Sequence, residues 1–230
     1  MKDERKRVLL TGIALLAGFV LWTILIQCID VQATGPNGTE VGFATLNMWF
    51  HQLTGVHMIL YTITDWLGLV PIIICLSFGI LGFIQLVKRR SLFRVDPDIL
   101  MLGSYYVIVI LGYLVFEMIP INYRPILIDG RLEASYPSST TLLVLSVMPT
   151  LMLQADRRIK RPFLKRIINT LAVAFSLFMV IGRLISGVHW LTDIIGSILL
   201  SFGLFLLYRS LVIFVDNKSS FTQSEARDGV

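Results

Sequence analysis

Apolar residues in this chain come in blocks close to twenty residues long, divided by short polar stretches. About 20 apolar residues are what a helix needs to cross the hydrocarbon core of a bilayer. Six blocks can be marked, near 8–28, 59–87, 98–119, 138–155, 166–186 and 190–213. The pattern predicts an all-α, polytopic membrane protein with six transmembrane helices in a bundle. The second block is too long for a perpendicular span, so it is expected to tilt or to begin in the interface. The fourth is short. Between the first two blocks, "GFATLNMWFHQLTGVHM" is rich in aromatics and carries His51 and His57. It is expected to form an amphipathic helix in the outer interface, with both histidines in packing roles. Periodicity ends after 213, which predicts a single membrane domain over 1–215 and a polar, disordered cytoplasmic tail over 216–230.

Composition agrees with this division. Charged residues make up 15% of the chain, against about 25% in soluble domains. The net charge of +5 carries no expectation of nucleic acid binding, because the basic residues sit in short loops between apolar blocks. The N-terminus has the basic start of a signal peptide, but its apolar run from Val8 to Cys28 exceeds the roughly 7–15 residues of a signal-peptide core. It is expected to be a retained first helix. Cys28 and Cys75 lack metal-ligand spacing and are expected to be inert.

Charge then orients the bundle. Seventeen of the twenty Lys and Arg residues fall before block one, between blocks two and three, between four and the first residue of five, or from the end of six onward. With six spans all of these lie on one side, which the positive-inside rule makes cytoplasmic, both termini included. An integral protein of the cell membrane is the expected setting. The three exceptions, Arg124, Arg131 and Arg183, fall at the opposite face, and so do His189 and Asp193.

These exceptions have chemical character. His189 and Asp193 are four residues apart and share a face if helical. A carboxylate bonded to one imidazole nitrogen leaves the other as a directed lone pair, the arrangement of a nucleophile or base. Arg124 and Arg183 are planar donors suited to phosphate. In "SYPSST", Ser138, Ser139 and Thr140 stand where the fourth block begins, and a helix N-terminus with small hydroxyl residues favours an anion. Together they predict a phosphate site.

In their order along the chain, "EMIPINYRP", "SYPSST" and "GRLISGVHWLTD" resemble the motifs of the type 2 phosphatidic acid phosphatase and haloperoxidase superfamily. The resemblance covers the last four blocks, a core at about 98–213. It implies that His189 attacks phosphorus to form a phosphohistidine, that Asp193 orients it, and that Arg124 and Arg183 hold the phosphoryl oxygens. It also implies a membrane lipid phosphate or diphosphate as partner and a mechanism with no cofactor and no metal. Four positions depart from the family pattern. Gly182 stands in place of a serine, Glu117 in place of the phosphate-binding lysine, and Thr140 in place of the histidine that protonates the leaving group; Ser139 replaces the glycine before it. General acid catalysis contributes roughly 100- to 10,000-fold, so its loss slows a reaction without forbidding it. Diphosphates, whose leaving phosphate has a second pKa near about 6, need that acid least. Glu117, protonated beside a phosphate, and Arg131, as a substitute cation, are candidates to fill the vacated roles. The alternative is a degenerate member that binds or moves a phospholipid without turnover. A carboxylate beside the site, Glu117, would suit an amine headgroup, and Asp65, an acid within the second block, leaves a transporter gate open.

Overall fold

Helices form where the apolar blocks lie. The computed structural model describes residues 2–228, with side chains placed from 3 to 217. Its helices are α1 (Lys2–Cys28), α2 (Ala44–Thr54), α3 (Met58–Leu67), α4 (Leu69–Arg89), α5 (Pro97–Met118), α6 (Ser139–Arg158), α7 (Pro162–Ile185) and α8 (Leu191–Asp228). No strand occurs among the described residues, only isolated bridges in two loops. The polarity is that of a membrane protein. Ile72, Ile73, Leu76, Val107, Leu111, Leu171 and Leu177 point outward, while Ser146, Thr150, Gln154, Ser197 and Ser201 are buried. Lipid tails are as apolar as leucine, so outward apolar faces cost nothing there, and interior hydroxyls bond either a neighbouring element, as Thr150 and Ser197 do, or their own helix, as Ser201 does.

Five helical stretches are long and apolar enough to cross a membrane, with α3 and α4 counted as one. The remaining expected span is α6, whose twenty residues reach about 30 Å but whose sequence is too polar to qualify. Its place in the bundle explains this: α6 is packed by α4, α5, α7 and α8, which hide its hydroxyls from lipid. Tyr106 Oη, for example, meets Thr150 Oγ1 at 2.7 Å.

Two boundaries differ from the expectation. The long second block is not one helix but α3 and α4, broken at Gly68. Pro71 is the reason, since it has no N–H to give the carbonyl four residues back, and its ring crowds that carbonyl. Gly68 N–H instead bonds Thr64 O and Asp65 O. The kink leans α3 over α7. At the other end of the chain, α8 does not stop at 213 but runs on into the segment expected to be a tail. The side chains of that segment beyond 217, Lys218 and Arg227 included, lie outside the described residues.

The first and last helices are partners. α1 packs along α8 with Gly12 against Gly203 O, and Leu16 covers Gly203. Arg5 stacks on Phe214 at 5.0 Å, and the indole of Trp22 donates to Thr192 O at 3.1 Å. At the basic end, Arg89 pairs with Asp96, Arg158 with Asp98, and Arg157 with Asp216. The C-terminal ends of α5 and α7 meet the N-terminal ends of α6 and α8 at the opposite end.

Candidate active site

Two connections at that opposite end gather the polar residues. Between α5 and α6 the chain folds back on itself, with Arg124 N–H bonded to Glu133 O and Ser135 N–H to Asn122 O. The hairpin places Arg124 and the Ser135 carbonyl side by side in space. Between α7 and α8 the turn depends on Gly187, at φ +71°, where a Cβ would come within 2.1 Å of Gly55 O. Only glycine suits both the left-handed backbone and that approach. Two residues later comes His189. Trp190 fastens the two connections together through its indole N–H to Tyr123 O, at 2.8 Å.

His189 is buried. Its Nδ1 lies 3.1 Å from Ser135 O, so Nδ1–H donates to the carbonyl and Nε2 is left as a lone pair. Nε2 has no hydrogen-bond partner. Asp193 is 3.6 Å from Nδ1, beyond hydrogen-bond length. Its Oδ2 accepts instead from Trp190 N–H at 2.9 Å, reaching back over the first turn of α8 as in a capping box. Asp193 therefore acts on His189 through its charge and through the shape of the turn, while the direct hydrogen bond is made by Ser135. Burial pushes the His189 pKa down to about 4; Asp193 pulls it upward, and Arg124 and Arg183 add to the lowering.

Both arginines lie over the ring of Tyr61, with Cζ at 5.8 Å for Arg124 and 4.9 Å for Arg183. Arg183 Nη2 donates to Asp65 Oδ1 and to Thr140 Oγ1, each at 2.6 Å. Its Nε and Nη1 are buried without partners, as is Arg124 Nη1. Arg124 Nε is 3.0 Å from Glu133 Oε2, an ion pair by distance but without the alignment of a hydrogen bond. Buried guanidinium donors are normally satisfied; here several share one region with a histidine lone pair. What the arrangement offers is a place for a tetrahedral anion.

A polar cavity of about 220 Å³ opens among Glu117, Arg124, Glu133, Ser135, Ser139 and His189. An apolar groove of about 950 Å³ runs between α4 and α5, and the two share Tyr113 and Ser139 in their walls. Thr140 and Asp65 line the groove. Of the three small residues at the start of α6, Ser138 is fully buried, and its hydroxyl donates to Thr141 Oγ1 at 3.1 Å. Ser139 and Thr140 face the cavities. Arg131 is exposed in the turn of the hairpin and does not line the polar cavity. His51 donates to Gly187 O at 3.2 Å and His57 bonds Thr54 O; the former braces the turn that carries His189. Among the described residues no three His, Cys, Asp or Glu side chains cluster.

Sequence reasoning missed Tyr61, Glu133 and the Ser135 carbonyl. Tyr61 stands four residues before Asp65, so the two share a helix face, and that spacing was the available signal. A backbone carbonyl has none.

The sequence profile of the PAP2 superfamily matches residues 70–215, well over half of the chain. The chain belongs to the PAP2 superfamily. No curated protein matches it. Among solved structures it is similar to the crystal structure of a transmembrane PAP2-type phosphatidylglycerolphosphate phosphatase from Bacillus subtilis. The TM-score is 0.62 at 18% identity, covering 89% of this chain and 97% of that one. At that identity the similarity speaks for the fold: a helical, membrane-embedded PAP2 bundle.

Proposed function

We propose that this protein is a lipid phosphatase or phosphotransferase acting on a membrane lipid phosphate or diphosphate through a phosphohistidine on His189. The carrying observation is the set of unpartnered buried atoms, namely Nε2 of His189, Nε and Nη1 of Arg183 and Nη1 of Arg124. In this reading Arg124 and Arg183 hold the phosphoryl oxygens, with Ser139 and Thr140 at the head of α6. The Nε2 lone pair attacks phosphorus as the bond from phosphorus to the leaving oxygen breaks, and that oxygen takes the electron pair. Water, or an acceptor hydroxyl, then attacks the phosphohistidine and returns Nε2. The apolar groove meeting the polar cavity at Tyr113 and Ser139 supports a lipid substrate whose chains remain among apolar residues. The basic end is assigned to the cytoplasm of a cell membrane, α6 to the fourth of six spans, and the site to the outer face.

Thr140 decides the leaving group. Its hydroxyl is tied to Arg183 and cannot supply a proton near neutral pH, so diphosphates should turn over faster than monophosphates. A second reading, binding without turnover, draws on the same residue and on Glu117, an exposed carboxylate lining the cavity. Purified protein in detergent, assayed for phosphate release on paired lipid mono- and diphosphates, separates the two. Activity greater on diphosphates and abolished by His189→Ala supports the enzyme. Silence on the whole panel with retained lipid binding supports the second reading.

A further inference from the structure

α3 lies outside the stretch that the PAP2 profile matches, yet it lays two side chains on the arginines of the site. Tyr61 contributes its ring to both guanidiniums, and Asp65 bonds Arg183 Nη2. Two features bring α3 this close. The break at Gly68 leans it over α7, and Gly182 leaves room for Thr64: a Cβ on Gly182 would sit 2.7 Å from Thr64 Cγ2. The departure from serine at position 182 and the arrival of a carboxylate at Arg183 are thus parts of one packing arrangement.

The charges in this corner are unequal in their surroundings. The Arg183 side chain is 2% exposed and the Asp65 side chain 58% exposed, in the wall of the groove. A buried guanidinium without a counter-charge is strongly unfavourable, and Asp65 supplies that charge when no anion is bound. It does so through Nη2, leaving Nε and Nη1 for a ligand. A phosphoryl group on Nε and Nη1 would then bring a second anion to the same guanidinium, and like charges a few ångströms apart repel. The two anions compete for Arg183.

We propose that Asp65 is the resident counter-ion of the phosphate site. It neutralises Arg183 while the site is empty, yields to the arriving phosphoryl group, and weakens the hold on product phosphate. This rests on the reading of Arg183 as a phosphate ligand. A merely structural ion pair would behave in the opposite way, since breaking it would loosen Arg183 and weaken anion binding.

The test is binding of inorganic phosphate to the purified full chain in detergent, measured by calorimetry and so independent of turnover. Asp65→Asn keeps an acceptor for Nη2 and removes the charge; it should bind phosphate about tenfold more tightly, as expected for lifting a like charge at short range. Asp65→Glu should stay near wild type. The gain should vanish in an Arg183→Gln background. Asp65→Ser, which leaves room for water beside Arg183, carries the same expectation if the asparagine variant does not accumulate. Phosphate binding that is unchanged or weaker in the charge-removing variants, with wild type binding normally, overturns the role of Asp65 alone. Phosphate bound by neither wild type nor variants overturns the phosphate site itself, and this inference with it.

Discussion

At the scale of single residues, the site turns on which nitrogen of His189 is free and when. Nδ1–H is committed to Ser135 O, so the free lone pair, the proposed nucleophile, sits on Nε2, and its availability depends on the ring staying neutral. Burial holds the pKa down to about 4, below the ordinary 6.5, so the neutral form persists as pH falls through 6 and 5. The acid limb of kcat/KM, which reports the free enzyme, is expected near pH 4. An acid limb near 6.5 in the pH profile would contradict this protonation assignment. Arg124→Gln removes one of the charges that depress the pKa and should move the limb upward. Asp193 is instructive here. Its spacing to His189 was legible in the sequence and placed it correctly beside the ring, but its carboxylate bonds the Trp190 N–H. Main-chain partners such as Ser135 O leave no mark in a one-letter code, which is why the orienting contact was invisible.

At the scale of helices, hydropathy located nearly every element but not their joints. The length of the second block calls for a tilt or an interfacial start, not for the break before Pro71; what that break accomplishes, laying Tyr61 and Asp65 on the arginines, depends on the contact between α3 and α7 and so on residues far apart in sequence. Gly182 looked like a lost serine and is better understood as room for the Thr64 methyl. A side chain there overpacks the joint, at a cost of about 1–3 kcal/mol. Gly182→Ser should lower the melting temperature in detergent, and Thr64→Ser, which deletes the crowding methyl and keeps the hydroxyl, should restore much of it. A double variant no more stable than Gly182→Ser alone would show that the two residues do not share that space. The polarity of α6 follows the same logic: with helices packed around it, its hydroxyls answer to neighbours and not to lipid, so its hydropathy falls below that of the five apolar stretches.

At the scale of the whole molecule, charge divides the bundle into a basic end and a site end. Cysteine in place of Arg131, in the exposed hairpin turn, should react with an impermeant thiol reagent added to intact cells, and cysteine in place of Arg161 should not. The reverse labelling would put the site on the cytoplasmic side. The pairing of α1 with α8 has a consequence for biosynthesis. About 160 residues separate the end of α1 from the start of α8, and at typical translation rates that is a wait of roughly 10–30 s. During that interval α1 stands in the bilayer without the partner it finally packs against. Its composition tolerates the delay: Leu10, Ile13, Val20, Leu21 and Ile24 face outward even in the finished bundle, and the Thr23 hydroxyl can rest on its own helix at Phe19 O, 2.9 Å away. Arrival of α8 then closes the bundle and brings His189 to Arg124 at one stroke, so a ribosome stalled before the last helix leaves an inserted protein with no assembled site.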